Sequence, residues 1–214
     1  MNEGMVDGDR IRDYLNFVPI IDGGRPRDHY AKELHLGPGG CGKTHMNCTD
    51  DGLVKPVFLP PSWKLSQAKR NEYGIDSSVW ARALTDDPER ISKIKTFHNT
   101  IIIDEVSMLT ENQKRQFFEL YGDMKIIMCG DLGYQLPPVS GEEMKKEGFE
   151  FIQTHTENFR CKCPILKHML NKLREMIDEK RSTQYINNWA IAEFVKLGRK
   201  IFVDQLKEMY TKKI

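Results

Sequence analysis

The chain has 214 residues, of which 39% are hydrophobic and 29% are charged, which suits one globular domain, or one domain and the beginning of another. It contains no apolar run of 18 residues, which excludes a membrane-spanning helix, and its acidic first residues lack the apolar stretch of a secretory signal. The five cysteines are an odd number, which favours reduced thiols and an intracellular location, in the cytoplasm or the nucleus.

The net charge of +1 conceals an uneven distribution along the chain. Residues 162–214 contain 12 Lys and Arg against 6 Asp and Glu, a net charge of +6, and the other residues contain 20 against 25, a net charge of −5. A basic C-terminal quarter is compatible with a polyanionic partner, although a solvated helix surface has the same composition. Both interpretations stay open at this point.

Short apolar runs alternate with helical patterns after residues 1–30, which we expect to be a flexible lead-in. The runs predicted to be strands are 33–36, 55–60, 99–104 and 124–130. Strands that are apolar on both faces are typical of a parallel sheet covered by helices. Thr110 followed by Gln113 is a capping box, which predicts the start of one of the helices. The sequence therefore predicts an α/β fold with a parallel sheet flanked by helices.

The pattern changes after residue 154. Residues 164–177 repeat apolar side chains with a 3.6-residue period behind Pro164, which predicts an amphipathic helix. Residues 179–184 have the composition of a linker, and two shorter helical patterns follow at 187–198 and 203–210. We expect residues 31–180 to form the main lobe, and residues 181–214 to be a helical segment leading toward a second lobe that this sequence lacks.

The stretch from Gly37 to Thr44, GPGGCGKT, satisfies the phosphate-binding pattern G-x-x-x-x-G-K-[ST]. In this chemistry the backbone amides of a glycine-rich loop surround phosphate oxygens, Lys43 reaches the β- and γ-phosphates, and the Thr44 hydroxyl binds Mg²⁺. The loop follows a predicted strand and precedes a predicted helix, as this chemistry requires. The predicted ATP-binding residues are Gly37, Pro38, Gly39, Gly40, Cys41, Gly42, Lys43, Thr44 and His45.

Two adjacent acids follow the apolar strand at 99–104. That strand delivers Asp104 and Glu105 to its carboxyl end, the edge where open α/β sheets bind their ligands. Asp104 is predicted to hold Mg²⁺ through water, in company with Thr44. Glu105 is predicted to orient the attacking water and take its proton during ATP hydrolysis.

Five stretches of the sequence occur in the order of a known family's motifs. They are GPGGCGKT (37–44), VFLPPSWKL (57–65), DEVSM (104–108), GDLGYQLPPVSGEE (130–143) and TENFRCKCP (156–164). On these stretches, residues 31–180 resemble the superfamily 1 helicases of the 5′-to-3′ branch that contains RecD and Dda. A viral enzyme of this type is one candidate. The resemblance implies a RecA-like P-loop domain, the first ATPase lobe of a helicase.

The resemblance also implies roles for individual residues. Gln135 would sense the γ-phosphate and relay its state to bound nucleic acid. Arg160 would lie against the γ-phosphate and stabilise the transferring charge, for which a planar guanidinium suits better than lysine. The residues expected to border single-stranded DNA are Pro60, Ser62, Trp63 and Lys64. For Trp63, base stacking competes with an ordinary place in the core or at its rim.

The sequence departs from the family pattern in two ways. The family usually places two residues between the Asp and the Gln of its third motif, whereas three separate Asp131 from Gln135, so the loop must bulge or Gln135 is displaced. The family's fifth and sixth motifs, which include a second arginine from the opposing lobe, have no counterpart in this sequence.

The leading functional prediction is an ATP-binding and ATP-hydrolysing lobe of a DNA helicase, which needs a second RecA-like lobe in cis or in trans to unwind DNA. One alternative is a degenerate module that holds nucleotide or DNA without turnover. A second alternative is the lobe of an RNA helicase.

Overall fold

The computed structural model describes residues 31–85, 87–135 and 137–211, so the predicted lead-in at 1–30 lies outside the described residues. The described residues form a six-stranded sheet in which all neighbouring strands are parallel. The strands are β1 (Lys32–Leu36), β2 (Pro56–Leu59), β3 (Asp76–Ser77), β4 (Thr100–Ile103), β5 (Lys125–Gly130) and β6 (Phe151–Thr154). Their order across the sheet is β3-β2-β4-β5-β1-β6.

Helices connect the strands and cover the sheet. In the described part of the chain they are α1 (Lys43–Cys48), α2 (Trp63–Tyr73), α3 (Trp80–Ala83), α4 (Pro88–Phe97), α5 (Glu111–Leu120), α6 (Pro164–Asp178) and α7 (Thr183–Thr211). A 3₁₀ turn lies at Val106–Met108. The α/β class and the four strands predicted from the apolar runs are confirmed, as β1, β2, β4 and β5. The sequence missed β3, which has only two residues, and β6, which is only partly buried.

The central strands are buried on both faces, which explains their continuous apolar sequence. Successive side chains of a strand point to opposite faces, so β4 contributes Ile101 and Ile103 to one core cluster and Ile102 to the other. The same alternation places Ile126 and Ile127 of β5 in different clusters. A strand that is packed on both faces has a fixed carboxyl end. The positions of the residues that follow β4 and β5 are fixed by this packing.

The capping box at the start of α5 is confirmed. The Gln113 amide donates to the Thr110 hydroxyl at 3.2 Å, and the Gln113 side chain accepts from the Thr110 amide at 2.9 Å. The predicted amphipathic helix is also present as α6, with Pro164 at its first position and Met169 and Met176 buried against the rest of the lobe.

The two helical patterns at 187–198 and 203–210 are one helix, α7, and the expectation of two separate helices was wrong. Gly198 is an isolated glycine between them, and it costs a helix only about 1 kcal/mol relative to alanine. The helix begins inside the predicted linker, where the Ser182 hydroxyl accepts from the Tyr185 amide at 3.2 Å.

Among the described residues, no helix combines the length and the apolar character needed to cross a bilayer. All five cysteines carry free thiols. Cys41 and Cys129 are buried and Cys163 is exposed. Burial raises the pKa of Cys48 to about 12 and raises that of Cys129 well above its usual value.

Candidate nucleotide-binding site

The glycine-rich loop joins the carboxyl end of β1 to α1. The Gly37 amide donates to the Gly130 carbonyl at 3.1 Å, which fastens the start of the loop to the end of β5. Gly40 has a φ of 85°, and a Cβ added there would lie 2.5 Å from Cβ of Arg160. A Cβ on Gly37 would lie 2.2 Å from the His155 carbonyl oxygen. The loop needs glycine at these positions because another segment of the chain passes directly against its backbone.

That segment, residues 155–163, is called the covering segment below. Its first residue extends the sheet edge, since the His155 amide donates to the Leu36 carbonyl at 2.7 Å. The Phe159 amide donates to the Gly40 carbonyl at 2.9 Å, directly across the loop. These contacts bring Arg160, more than 100 residues distant in sequence, to the wall of the cavity in front of the loop.

The cavity has a volume of about 470 Å³. It brings together residues that the sequence assigned to nucleotide binding and catalysis from four separate stretches. The predicted residues that line it are Gly39, Gly40, Cys41, Gly42, Lys43, Thr44, His45, Asp104, Glu105, Gln135 and Arg160. Gly37 and Pro38 line a neighbouring cavity on the other side of the loop.

The Lys43 side chain is buried and crosses the loop. Its amine donates to the carbonyl oxygens of Gly37 at 2.7 Å and Pro38 at 3.1 Å, and it lies 3.3 Å from the Cys41 sulfur. A strong cation is thereby held at the floor of the cavity.

Thr44 and Asp104 meet at the boundary between the loop and β4. The Thr44 hydroxyl donates to Asp104 Oδ2 at 3.0 Å. Burial and the neighbouring Glu105 raise the pKa of Asp104, against the opposing effects of the Thr44 hydrogen bond and the Lys43 charge. A hydroxyl and a carboxylate side by side are the oxygen ligands that Mg²⁺ prefers, and the buried carboxylate has the most to gain from a cation. The donor set therefore fits Mg²⁺.

Glu105 has an unusual backbone conformation, with φ 56° and ψ 47°. Its amide donates to Asp104 Oδ1 at 3.1 Å, and the 3₁₀ turn Val106–Met108 begins directly after it. A non-glycine residue in the left-handed region costs roughly 1–2 kcal/mol and persists where the surroundings impose it, commonly at functional sites. The reversal of direction at Glu105 keeps its carboxylate at the cavity wall. The sequence identified the residue, but nothing in it indicated this conformation.

Residues 131–135, called the glutamine loop below, absorb the additional residue as a turn. The Tyr134 amide donates to the Asp131 carbonyl at 3.3 Å, and Gly133 has a φ of 83°. Of the two alternatives, the loop bulges and Gln135 still lies at the cavity wall. The Ser107 hydroxyl donates to Gln135 Oε1 at 2.6 Å, which links this side chain to the turn after Glu105.

The residues predicted to border nucleic acid follow the carboxyl end of β2, at the same edge of the sheet as the cavity. The Pro60 carbonyl accepts from the Trp80 amide at 3.0 Å, and the Ser62 hydroxyl caps α2 by accepting from the Leu65 amide at 3.4 Å. Lys64 is exposed. Trp63 is 51% exposed, with the Arg82 guanidinium carbon 4.4 Å from a ring centroid, so it does not belong to the core.

One side of α2 forms a wall of the cavity, which the sequence analysis missed. The additional lining residues are Leu65, Lys69, Glu72, Tyr73, Gly130 and Phe159. Lys69 donates to Glu72 at 2.7 Å, which together with Tyr73 lowers the pKa of Glu72. His45 Nδ1 lies 3.4 Å from the Tyr73 hydroxyl, so α1 and α2 meet at this wall. The spacing of 65, 69 and 72 along α2 places these residues on one helical face and could have indicated it.

No protein-family model matches the sequence, and no curated protein matches it. Several solved structures share the fold. The Pif1 helicase from Bacteroides bound to single-stranded DNA has a TM-score of 0.51 and 18% identity, over 80% of this chain and 46% of that chain. The same helicase with ADP-AlF3 and single-stranded DNA has a TM-score of 0.50 and 19% identity, over 81% and 47%. The Pif1 helicase from Candida albicans is 24% identical, with a TM-score of 0.49, over 67% and 40%.

The chain spans about half the length of the solved chains that it matches. The match to the Bacteroides structures confirms the predicted fold, a RecA-like α/β domain with a parallel sheet flanked by helices. The identities are low, so what is shared is the fold.

Proposed function

We propose that this chain is the ATP-binding and ATP-hydrolysing lobe of a DNA helicase. The observation that carries the proposal is the convergence of Lys43, Thr44, Asp104, Glu105 and Arg160 on one cavity of about 470 Å³. The fold supports it, because the Bacteroides Pif1 helicase that shares it has been solved with ADP-AlF3 and with single-stranded DNA. The narrower assignment to the RecD and Dda branch, and an intracellular location, are part of this proposal.

The loop binds the triphosphate of ATP. Its backbone amides and the N-terminus of α1 face the phosphate oxygens, and the Lys43 amine exchanges its loop carbonyls for the β- and γ-phosphates. Thr44 and Asp104 are the residues that would hold Mg²⁺. Mg²⁺, when bound, neutralises charge on the phosphates and makes the γ-phosphorus more electrophilic.

Hydrolysis requires a base and a stabiliser of the transferring charge. Glu105, aimed by its left-handed backbone, accepts the proton of the attacking water. Gln135 contacts the γ-phosphate region and reports its state through Ser107 and the turn after Glu105. Arg160 places its guanidinium against the equatorial oxygens of the γ-phosphate as their charge develops.

Single-stranded DNA binds across the start of α2. Trp63 offers an exposed ring for stacking on a base, and Lys64 and Arg82 offer cations to the phosphates. Leu65 and Lys69 of the same helix line the nucleotide cavity, so DNA bound at the start of α2 influences the nucleotide site. Strand separation additionally requires a second RecA-like lobe, because translocation depends on two lobes that close on the nucleotide and reopen.

The test of the proposal is steady-state ATP hydrolysis by the purified 214-residue chain with Mg²⁺, alone and with oligothymidine or oligouridine. Hydrolysis stimulated by oligothymidine supports a DNA helicase lobe. Preferential stimulation by oligouridine supports the RNA alternative. Binding of a fluorescent ATP analogue with no hydrolysis under any condition would leave the degenerate module as the answer.

Fluorescence anisotropy with the same labelled oligonucleotides tests the nucleic-acid surface separately. Trp63→Ala removes the exposed ring, and base stacking is worth roughly 1–3 kcal/mol, so affinity falls by about 5- to 150-fold. Phe97→Ala is the matched control, since Phe97 is an exposed aromatic residue at the amino edge of the sheet, just before β4. Equal losses for the two variants would remove α2 from the binding surface.

A further inference from the structure

A second cavity, of about 450 Å³, lies behind the glycine-rich loop, where α6 meets the glutamine loop. Arg174 of α6 lines it and pairs with Asp131 through its two terminal guanidinium nitrogens. Nη1 donates to Asp131 Oδ1 at 3.0 Å, and Nη2 donates to Oδ2. The Asp131 side chain is 7% exposed and that of Arg174 is 25% exposed. A two-pronged pair with a buried carboxylate constrains both partners more than a single surface contact does.

Tyr134, on the same loop, makes two further contacts with α6. The guanidinium carbon of Arg174 lies 4.2 Å from the centroid of its ring, and its hydroxyl donates to Asp178 Oδ1 at 2.5 Å. Arg174 and Asp178 are four residues apart and occupy one face of the helix. One turn of α6 therefore contacts the glutamine loop at both Asp131 and Tyr134. We call Asp131, Tyr134, Arg174 and Asp178 the α6 clamp.

The clamp residue Tyr134 is adjacent in sequence to a residue that lines the cavity that binds nucleotide in the proposed function. Gln135 follows Tyr134 directly, and its side-chain oxygen accepts from the Ser107 hydroxyl at 2.6 Å. The N-terminal residue of α6 is Pro164, four residues after Arg160. The glutamine loop and the covering segment are thus attached to opposite ends of one helix, and both line the nucleotide cavity.

From this geometry we infer that the α6 clamp positions Gln135 for ATP hydrolysis, with Arg174, Tyr134 and Asp178 as positioning residues. The inference rests on the proposed function. In the proposed function, phosphate binding belongs to the glycine-rich loop and Lys43, whose described hydrogen bonds are made to residues other than the four of the clamp. Loosening the clamp therefore lowers the rate of hydrolysis and leaves nucleotide affinity in place.

Arg174→Ala lowers kcat by roughly 10- to 100-fold, the cost of a small misplacement near the reacting groups, and changes KM for ATP by less than about twofold. Arg174→Lys does not restore the rate, since one ammonium group makes neither the two-pronged pair nor the ring contact. Tyr134→Phe keeps the ring under Arg174 and removes only the hydroxyl, so its loss is smaller. Lys172→Ala is the control, because Lys172 lies on the same helix in a surface ion pair with Glu175.

A double-variant cycle decides whether the clamp acts through Gln135. If it does, Arg174→Ala combined with Gln135→Ala is no more than about twofold slower than Gln135→Ala alone. The inference would be overturned if the losses of the two single variants multiplied in the double variant. It would also be overturned if Arg174→Ala raised KM with kcat unchanged, or if Lys172→Ala slowed hydrolysis as much as Arg174→Ala. If Arg174→Ala fails to fold by circular dichroism, Tyr134→Phe and Asp178→Asn take its place in the cycle with the same criteria.

Amide hydrogen exchange, measured without nucleotide, separates this inference from the proposed function. Arg174→Ala speeds exchange at residues 131–135 and leaves residues 37–44 as in the parent chain. A parent chain that never hydrolyses ATP would defeat the proposed function, and exchange would then decide whether the clamp holds the loop. Unchanged exchange at 131–135 would show that Arg174 does not position the loop, whatever the chain hydrolyses.

Discussion

Two walls of the nucleotide cavity, besides the one formed by α2, are built in different ways. The first consists of the glycine-rich loop and the acids after β4, which are direct extensions of buried parallel strands. The second consists of Gln135 and Arg160, which lie on irregular segments held by contacts with α6 and with the loop itself. The first wall is fixed by strand register, whereas the second depends on distant side chains. In the proposed function, phosphate binding and the catalytic base therefore belong to the wall fixed by strand register, and Gln135 and Arg160 to the wall that depends on distant side chains.

The largest effect is expected from the chemistry of the first wall. Glu105→Gln keeps the size of the side chain but cannot take a proton from water, so hydrolysis falls by roughly 10²- to 10⁴-fold. Nucleotide affinity stays close to that of the parent, because the substitution leaves the left-handed backbone at this position and the hydrogen bond from its backbone amide to Asp104 in place. Phosphate release and titration with a fluorescent ATP analogue measure the two quantities. A variant that hydrolyses ATP as fast as the parent would show that Glu105 is not the base.

Lys43→Ala breaks binding at the same wall. It removes a cation that contacts two loop carbonyls and, in the proposed function, the phosphates. A charge-assisted hydrogen bond is worth roughly 1.5–3 kcal/mol, so Kd for ATP rises by about 10- to 150-fold. The same titration measures it, with Lys93→Ala on the exposed face of α4 as the control. Equal affinities for the Lys43 variant and the control would place the phosphates elsewhere.

Gly40→Ala tests the junction between the two walls. An alanine there would be in the left-handed region and would press its Cβ against Arg160 and Asn158, at 2.5 and 3.0 Å. The backbone strain alone is roughly 1–2 kcal/mol, which lowers Tm by about 2–8 °C. Gly39→Ala is the neighbouring control, since no atom lies within 4 Å of its added Cβ, and its Tm stays near that of the parent. Differential scanning calorimetry compares them, and equal melting temperatures would mean that the covering segment does not pack against the loop.

The smallest expected effect is an increase in stability. Burial raises the pKa of Asp104 above its value in the unfolded chain, so the ionised carboxylate costs stability at neutral pH. Asp104→Asn removes that charge and keeps one acceptor oxygen, for the Thr44 hydroxyl or the Glu105 amide, so without Mg²⁺ or nucleotide it is more stable by at most about 1 kcal/mol. The gain is complete above the raised pKa and disappears as the pH falls through the unfolded value. Thermal melts between pH 3 and pH 8 measure it, and a gain that grew with acidity would contradict this account.

Sequence patterns predicted the first wall well because its features are local. The glycine spacing around Lys43, the apolar run before Asp104 and the capping box at Thr110 each depend on residues within one or two turns of chain. The α/β class followed from the same runs. The merging of the two helical patterns into α7 was missed, although the single Gly198 at the end of the first pattern costs a helix little.

The sequence identified Gln135 and Arg160 of the second wall as candidate site residues, but it did not predict the contacts that position them. Nothing local shows that Phe159 bonds to Gly40, or that Arg174 pairs with Asp131 across 43 positions. The left-handed backbone of Glu105 was invisible for a related reason, since it is imposed by the packing around it. These are tertiary contacts. The roles of the residues in both walls and of those near Trp63 remain predictions.

The free thiols give the chain a natural place for a label. Cys163 is exposed, and as the last residue of the covering segment it immediately precedes α6. The thiolate is the form that attacks thiol reagents, and burial keeps Cys48 and Cys129 protonated at neutral pH, so those two react slowly. Replacing Cys161 with serine would leave Cys163 as the exposed target among the cysteines. A single dye there would report movement of the helix that joins both parts of the second wall, in real time and without introducing a new cysteine.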